Sequence, residues 1–139
     1  MSENIRGLIV AHSSLAAGMT EAVRQIAGLE DDVLQPLSNE GKGPAGLISA
    51  VTEAVGDAPV VIFTDLSSGS CAFAARKIAI DRPQTGIVCG VNLPVLLDFV
   101  FHRDLPLPEL VDRLVDKGRV GICGTCAEED SRVDRALSG

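Results

Sequence analysis

Apolar positions along the chain follow two alternating patterns. A compact apolar run at Gly7 to Ala11 reads as a buried strand, and Pro59 to Thr64, apolar without alternation, as a strand buried on both faces, since a strand covered by helices on each side has no polar face to show; Thr85 to Gly90 reads as a further strand. Between and after them apolar residues recur at spacings of three and four. Leu15, Met19, Ala22, Val23 and Ile26 predict a helix from about Ser14 to Ala27, and Leu47, Ile48, Val51, Ala54 and Val55 predict a second. Further helices are expected from about Cys71 to Ile80, over Val95 to Phe101, and near Glu109 to Lys117, where Leu110 and Leu114 lie one turn apart. Gly28, Gly56 and Gly118 read as helix stops and Pro44 as a first-turn residue. Asp32 to Leu37 reads as a short strand at or near a sheet edge, because Pro36 cannot donate to a ladder. Arg119 to Cys123 is a last short strand candidate.

Strands alternating with helices predict an α/β fold, a doubly wound and mainly parallel sheet with helices on both faces. With four βα units the simplest strand order is 2-1-3-4. Ligands of such sheets sit beyond the carboxyl ends of the strands, where the strand order reverses. That switch point falls between the loops after the first and third strands, which carry His12 and Asp65. Residues far apart in sequence are thereby expected to meet.

The 139 residues suit one domain, placed at residues 1–126, with a polar tail over 127–139. With four Phe and no Trp or Tyr, the core must come from Val, Ile, Leu and Ala. A net charge of −7 argues against nucleic acid or an anionic membrane as the main partner, since both need basic surface. No apolar run approaches the roughly 20 residues of a membrane span, and Met1 to Ile5 carries no signal-peptide pattern. The expected location is therefore cytoplasmic, with no direct membrane insertion. The four cysteines, Cys71, Cys89, Cys123 and Cys126, are then expected to be reduced.

His12 sits where a buried strand gives way to a helix whose first N–H groups have no intrahelical partner, a place that favours an anion. A carboxylate such as Asp65 on one ring nitrogen fixes the tautomer and makes the other nitrogen more nucleophilic. A nucleophilic imidazole can take a phosphoryl group and pass it on, and that transfer rests mainly on positioning and charge stabilisation. The Ser67-Ser-Gly-Ser70 loop adds N–H and hydroxyl donors. A serine hydrolase competes for the same residues, but no Gly-x-Ser-x-Gly elbow surrounds Ser13, Ser14, Ser68 or Ser70. His102, among Phe101, Arg103 and Asp104, reads as a surface residue, and Lys42 as a solvated loop lysine.

Three segments carry a resemblance. Val10-Ala-His12-Ser-Ser-Leu-Ala-Ala-Gly-Met19 is similar to the opening of mannose-type (mannose/fructose/sorbose) EIIA domains of the bacterial phosphoenolpyruvate-dependent sugar phosphotransferase system. Phe63-Thr-Asp65-Leu-Ser-Ser-Gly-Ser70 resembles that family's Thr-Asp-Leu-x-Gly-Gly-Ser segment, and Gly90-Val-Asn-Leu-Pro94 its third signature. The resemblance runs from about Ile5 to Ile122. It implies that His12 accepts phosphate from the histidine phosphocarrier protein and donates it to a IIB component, without a cofactor or a metal. It implies that Asp65 orients His12, and that Ser13, Ser67, Ser68, Gly69, Ser70 and Asn92 belong to the phosphate-binding loops. It further implies a homodimer in which the last strand, here Arg119 to Cys123, crosses to pair antiparallel with the neighbour. Leu15, Leu66 and Leu93 would form an apolar rim for transient partners.

The chain departs from the family at Ser68-Gly-Ser-Cys-Ala-Phe73, where the family has Gly-Gly-Ser-Pro-Phe-Asn. The loop is one glycine poorer and Cys71 replaces a proline. A thiol at that helix start is expected to have a lowered pKa and to suit redox regulation. Cys123-Gly-Thr-Cys126, read as following a strand, has the local setting of a thioredoxin-like pair; as metal ligands the two would form a weak site. Alternatives to the carrier are a regulatory, phosphorylation-dependent binding protein, a phosphotransfer subunit like that of dihydroxyacetone kinase, and a dithiol redox protein.

Overall fold

The computed structural model describes residues 4–127. Strands β1 (Arg6–Ala11), β2 (Leu34–Ser38), β3 (Val60–Thr64) and β4 (Thr85–Cys89) alternate with helices α1 (Leu15–Ala27), α2 (Pro44–Val55) and α3 (Ser70–Ile80), and α4 (Leu93–Phe101) and α5 (Leu107–Val120) follow. The sheet has the order β2-β1-β3-β4 and every pairing is parallel. The expected architecture and strand order are therefore those observed, with Pro36 on the edge strand β2.

The period of two along β1 and β3 assigns each residue to one of two cores. Ile9, Ala11, Val61 and Phe63 face one cluster, completed by residues of α1, α4 and α5, including Val23, Leu96, Phe99, Leu110 and Leu114. Leu8, Val10, Val60 and Ile62 face the other, closed by α2 and α3 through Leu47, Val51, Val55, Cys71 and Ala75. Both faces of the central strands are thus filled, which is why their sequences are continuous apolar runs. Phe63 and Phe99 meet edge to face, ring centroids 5.1 Å apart, an arrangement aromatic quadrupoles favour. Gly7 leaves room for this packing: a Cβ there would lie 2.8 Å from both Leu34 Cδ1 and Phe99 Cε2.

The chain end differs from expectation. α5 runs through Gly118 to Val120, so Arg119 and Val120 occupy a helical turn and not the start of a strand. Gly118 is no stop because it lies where α5 crosses Val95, whose Cγ2 would be 2.7 Å from a Cβ. The helix ends instead at Gly121, whose N–H donates to Lys117 O. Residues 122–126 have no regular structure. Cys123 and Cys126 are exposed, free thiols after a helix, so the strand-then-pair setting of a thioredoxin motif is absent there. Most of the 127–139 tail lies outside the described residues.

His102 is also more than a surface group. Its Nδ1–H donates to Asp98 O at 2.8 Å, at the end of α4. Asp98 in turn accepts two bonds from Arg113, at 2.8 and 3.0 Å, tying α4 to α5. Among the described residues no helix is long and apolar enough to cross a membrane.

Candidate functional site

β1 and β3 are hydrogen-bonded neighbours with Val10 opposite Thr64, so the first residues past their carboxyl ends emerge side by side. Those residues include His12 and Asp65. Asp65 Oδ2 accepts the backbone N–H of His12 at 3.0 Å and faces its ring Nδ1 at 2.8 Å. Asp65 Oδ1 accepts the N–H of Leu66 at 3.1 Å. The carboxylate thus serves three N–H donors, and the imidazole is held by its Nδ1 edge. Thr64, fully buried, braces the turn by donating from Oγ1 to Leu66 O at 2.7 Å.

The pair differs in exposure: the His12 side chain is 43% accessible and that of Asp65 10%. Burial pushes the Asp65 carboxyl up, but the His12 backbone N–H, the His12 ring, its charge and Asp65's own N–H outweigh this and hold it below the usual value. Asp65 is therefore an anion at neutral pH. With Nδ1–H donated to it, the lone pair of the exposed ring lies on Nε2.

Ser13 has φ +55°, a conformation few non-glycine residues adopt. The last residue of β2 and the residue after it stabilise it, which sequence reasoning missed. Ser38 Oγ donates to Ser13 O at 2.7 Å, and Asn39 Oδ1 accepts the Ser13 N–H at 3.2 Å. The available signal was β2 itself: as the other neighbour of β1 it ends on the same rim. Ser67, Ser68 and Gly69 form an exposed loop, and Ser70 opens α3. Gly69 has φ +91°, which a side chain would strain. Arg76, also missed, fixes this loop by donating to Ser67 O at 2.9 Å.

α1 and α3 begin at Ser14 and Gly69 without a side-chain cap, whereas α4 is capped by Asn92 Oδ1 on the Val95 N–H. The uncapped starts leave N–H groups and positive dipole ends beside His12. Asn92 is used differently: its Oδ1 caps α4 and its Nδ2 donates to Gly118 O at 3.1 Å. Of the expected apolar rim, Leu15 and Leu66 are exposed, while Leu93 packs on the core. Phe73, in the first turn of α3, is exposed and was not foreseen as a rim residue.

Cys71 is 1% exposed, and its Sγ lies 4.0 Å from His12 Nδ1. Contrary to the expectation of a reactive thiol, burial and the facing Asp65 carboxylate push its pKa up. These two effects outweigh the Ser70 side-chain hydrogen bond, which pulls it down. Among the described residues, His12, Asp65 and Cys71 are a group that could hold a metal ion, with donor atoms within 4.8 Å of one another.

A sequence model of the family described as PTS system fructose IIA component (EIIA-man) matches residues 7–115. The chain is 34% identical over 65 residues to the mannose-specific EIIAB component of Escherichia coli K12, a stretch covering 45% of this chain and 20% of that protein. The chain thus matches only about a fifth of the length of that relative. It is 28% identical over 102 residues to the sorbose-specific EIIA component of Klebsiella pneumoniae, covering 71% and 75% of the two chains. Among solved structures, component EIIA from Streptococcus agalactiae superposes with a TM-score of 0.80 at 22% identity, over 86% of this chain and 96% of that one. The mannose/sorbose specific IIA subunit from Enterococcus faecalis gives 0.80 at 19% identity, over 93% and 100%.

Proposed function

The chain belongs to the mannose-type IIA family of the sugar phosphotransferase system, and from that premise we propose that it carries a phosphoryl group on Nε2 of His12. The donor is the histidine phosphocarrier protein and the acceptor a IIB component. The supporting observation is the 2.8 Å contact between Asp65 Oδ2 and His12 Nδ1, which commits one ring nitrogen and leaves the other free on an exposed edge.

In the transfer, the Nε2 lone pair attacks phosphorus in line with the donor's nitrogen. An N–P bond forms on His12 as the donor's N–P bond breaks, and the departing imidazole keeps that electron pair. The His12 ring becomes more positive as it takes the group, and the Asp65 carboxylate on Nδ1–H stabilises that charge. The three phosphoryl oxygens are met by N–H groups at the uncapped starts of α1 and α3. The hydroxyls of Ser13, Ser67, Ser68 and Ser70 are further donors, with Gly69 shaping the loop. Leu15, Leu66 and Phe73 give the docking partner apolar surface around the ring. Asn92, with its Oδ1 on the Val95 N–H and its Nδ2 on Gly118 O, holds the start of α4 in the third of these loops.

A homodimer acting in the cytoplasm belongs to this proposal. Among the described residues β4 is an open sheet edge, and Ile122 is exposed at a cleft of about 180 Å³ that also includes Cys89 and Gly90. A second copy would cover that edge.

The test is phosphorylation of the full chain by phosphoenolpyruvate, enzyme I and the phosphocarrier protein, read by intact mass. An acid-labile gain of one phosphoryl group, absent in His12→Ala, is expected. A folded wild-type chain that gains nothing would overturn the proposal.

A further inference from the structure

The transfer chemistry gives Cys71 no task, although it is the most buried of the donor groups around His12. Its Sγ approaches His12 Nδ1 at 4.0 Å, and Asp65 Oδ2 approaches the same nitrogen at 2.8 Å. In a cysteine–histidine–carboxylate relay the thiol and the carboxylate sit on opposite ring nitrogens, so that the ring can move a proton between them. Here both converge on Nδ1, so the ring cannot act as the thiol's base while Asp65 orients it. Nitrogen, oxygen and sulfur donors from three elements, drawn around one point, have instead the layout of a coordination sphere.

We propose that a divalent ion of the zinc class binds His12 Nδ1, an Asp65 carboxylate oxygen and Cys71 Sγ, and that the bound ion holds His12 in the tautomer that cannot accept a phosphoryl group. The second half of this statement rests on the carrier function proposed above. Zinc bonds of about 2.1 Å to nitrogen, 2.0 Å to oxygen and 2.3 Å to sulfur give tetrahedral edges of about 3.4 Å for N···O and about 3.6 Å for N···S. The 2.8 Å pair must open by about 0.6 Å and the 4.0 Å pair must close by about 0.4 Å. The Asp65–Cys71 edge, within 4.8 Å at present, must come to about 3.5 Å. The carboxylate is already oriented by the N–H groups of His12 and Leu66, as outer-sphere partners orient metal ligands. Three protein donors leave the fourth position to water.

On binding, three metal–ligand bonds form and the Cys71 S–H bond breaks, its proton leaving to solvent. Nδ1 also gives up its proton, and the neutral ring carries one on Nε2 instead. The Nε2 lone pair is then occupied, so the metal-bound ring cannot attack phosphorus.

The site is tested in the full chain carrying Cys89→Ser, Cys123→Ser and Cys126→Ser, which leaves Cys71 as its one thiol. Cobalt(II) is titrated and read by its thiolate charge-transfer absorption; zinc is measured by competition with a chromophoric chelator. One ion per chain with that absorption is expected, weakened at least about tenfold by Cys71→Ser and, separately, by His12→Ala. Saturating zinc is expected to slow phosphoryl acceptance at least about tenfold, reversibly with EDTA, and half of this zinc effect is expected to need at least about tenfold more zinc in Cys71→Ser. No stoichiometric ion, no thiolate band, or unchanged affinity in both variants would overturn the site. A chain that is phosphorylated normally but binds no ion would sink the metal site alone. One that binds the ion but takes no phosphoryl group in chelator would sink the carrier function and leave the site standing.

Discussion

Replacing Asp65 with Asn removes a charge while keeping nearly the same shape, and its effect can be worked out from the contact geometry. The carboxylate serves three N–H donors on two oxygens: the His12 backbone, the His12 ring and the Leu66 backbone. An amide has one oxygen, so at least one donor must face an NH2 group. If the NH2 faces the ring, Nδ1 becomes an acceptor and the proton moves to Nε2, where it blocks the nucleophile. If the amide oxygen faces the ring, the tautomer survives but the charge is lost. At the 2.8 Å separation, a full charge on the ring would interact with the carboxylate by about 6 kcal/mol at an effective dielectric of about 20. A loose transfer state places about a third to a half of that charge on the ring, or about 2 to 3 kcal/mol. Each 1.4 kcal/mol is about tenfold in rate, which gives about 30- to 150-fold. The half-exposed ring is screened by solvent, so the lower end applies to the charge alone; the wrong tautomer adds to it. Asp65→Asn is expected to slow single-turnover phosphoryl acceptance from the phosphocarrier protein at least about 30-fold, with an unchanged circular dichroism spectrum. A folded variant within about threefold of wild type would refute the role assigned to Asp65.

The same carboxylate predicts a pH dependence of stability. Its pKa is lowered in the folded chain, so its stabilising contribution is complete above the ordinary value of 3.8 and is lost as pH falls through the folded value. The melting-temperature gap between wild type and Asp65→Asn should be present at neutral pH and close in acid; a gap independent of pH would contradict this. Gly7→Ala places a Cβ 2.8 Å from Leu34 Cδ1 and Phe99 Cε2 in a filled core, so denaturant titration should show a loss of about 1 to 3 kcal/mol. Arg82 donates to Val55 O at the end of α2, to Gly56 O and Ala58 O beyond it, and to Thr85 Oγ1, so Arg82→Ala should cost about 1 to 2 kcal/mol by the same measurement. Native-state alkylation followed by mass spectrometry should label the exposed Cys123 and Cys126 quickly and the buried, high-pKa Cys71 slowly; equal rates would be incompatible with the burial of Cys71.

The strand order was legible because each central strand is apolar on both faces and each helix has a clear three-and-four period. From that order alone, His12 and Asp65 had to meet, and they do at 2.8 Å. What escaped notice depends on tertiary context. Nothing local marks Gly118 as a helix interior; it is one because the crossing of α4 over α5 admits no side chain there. The backbone of Ser13 is held by Ser38 and Asn39 from the strand on the far side of β1. A dipole argument treated Cys71 as a free helix terminus, whereas the structure buries it against a carboxylate. Its convergence with Asp65 on one ring nitrogen depends on how deeply α3 packs, which periodicity does not encode.

The central claim is that His12 is phosphorylated on the nitrogen that Asp65 leaves free. The measurement that tests it most directly is 31P and 15N NMR of the phosphorylated full chain with 15N-labelled histidine, in which coupling identifies the nitrogen bonded to phosphorus. A single phosphohistidine bonded through Nε2, absent in His12→Ala, is the predicted result. A phosphoryl group on Nδ1, on another residue, or on none would contradict the account.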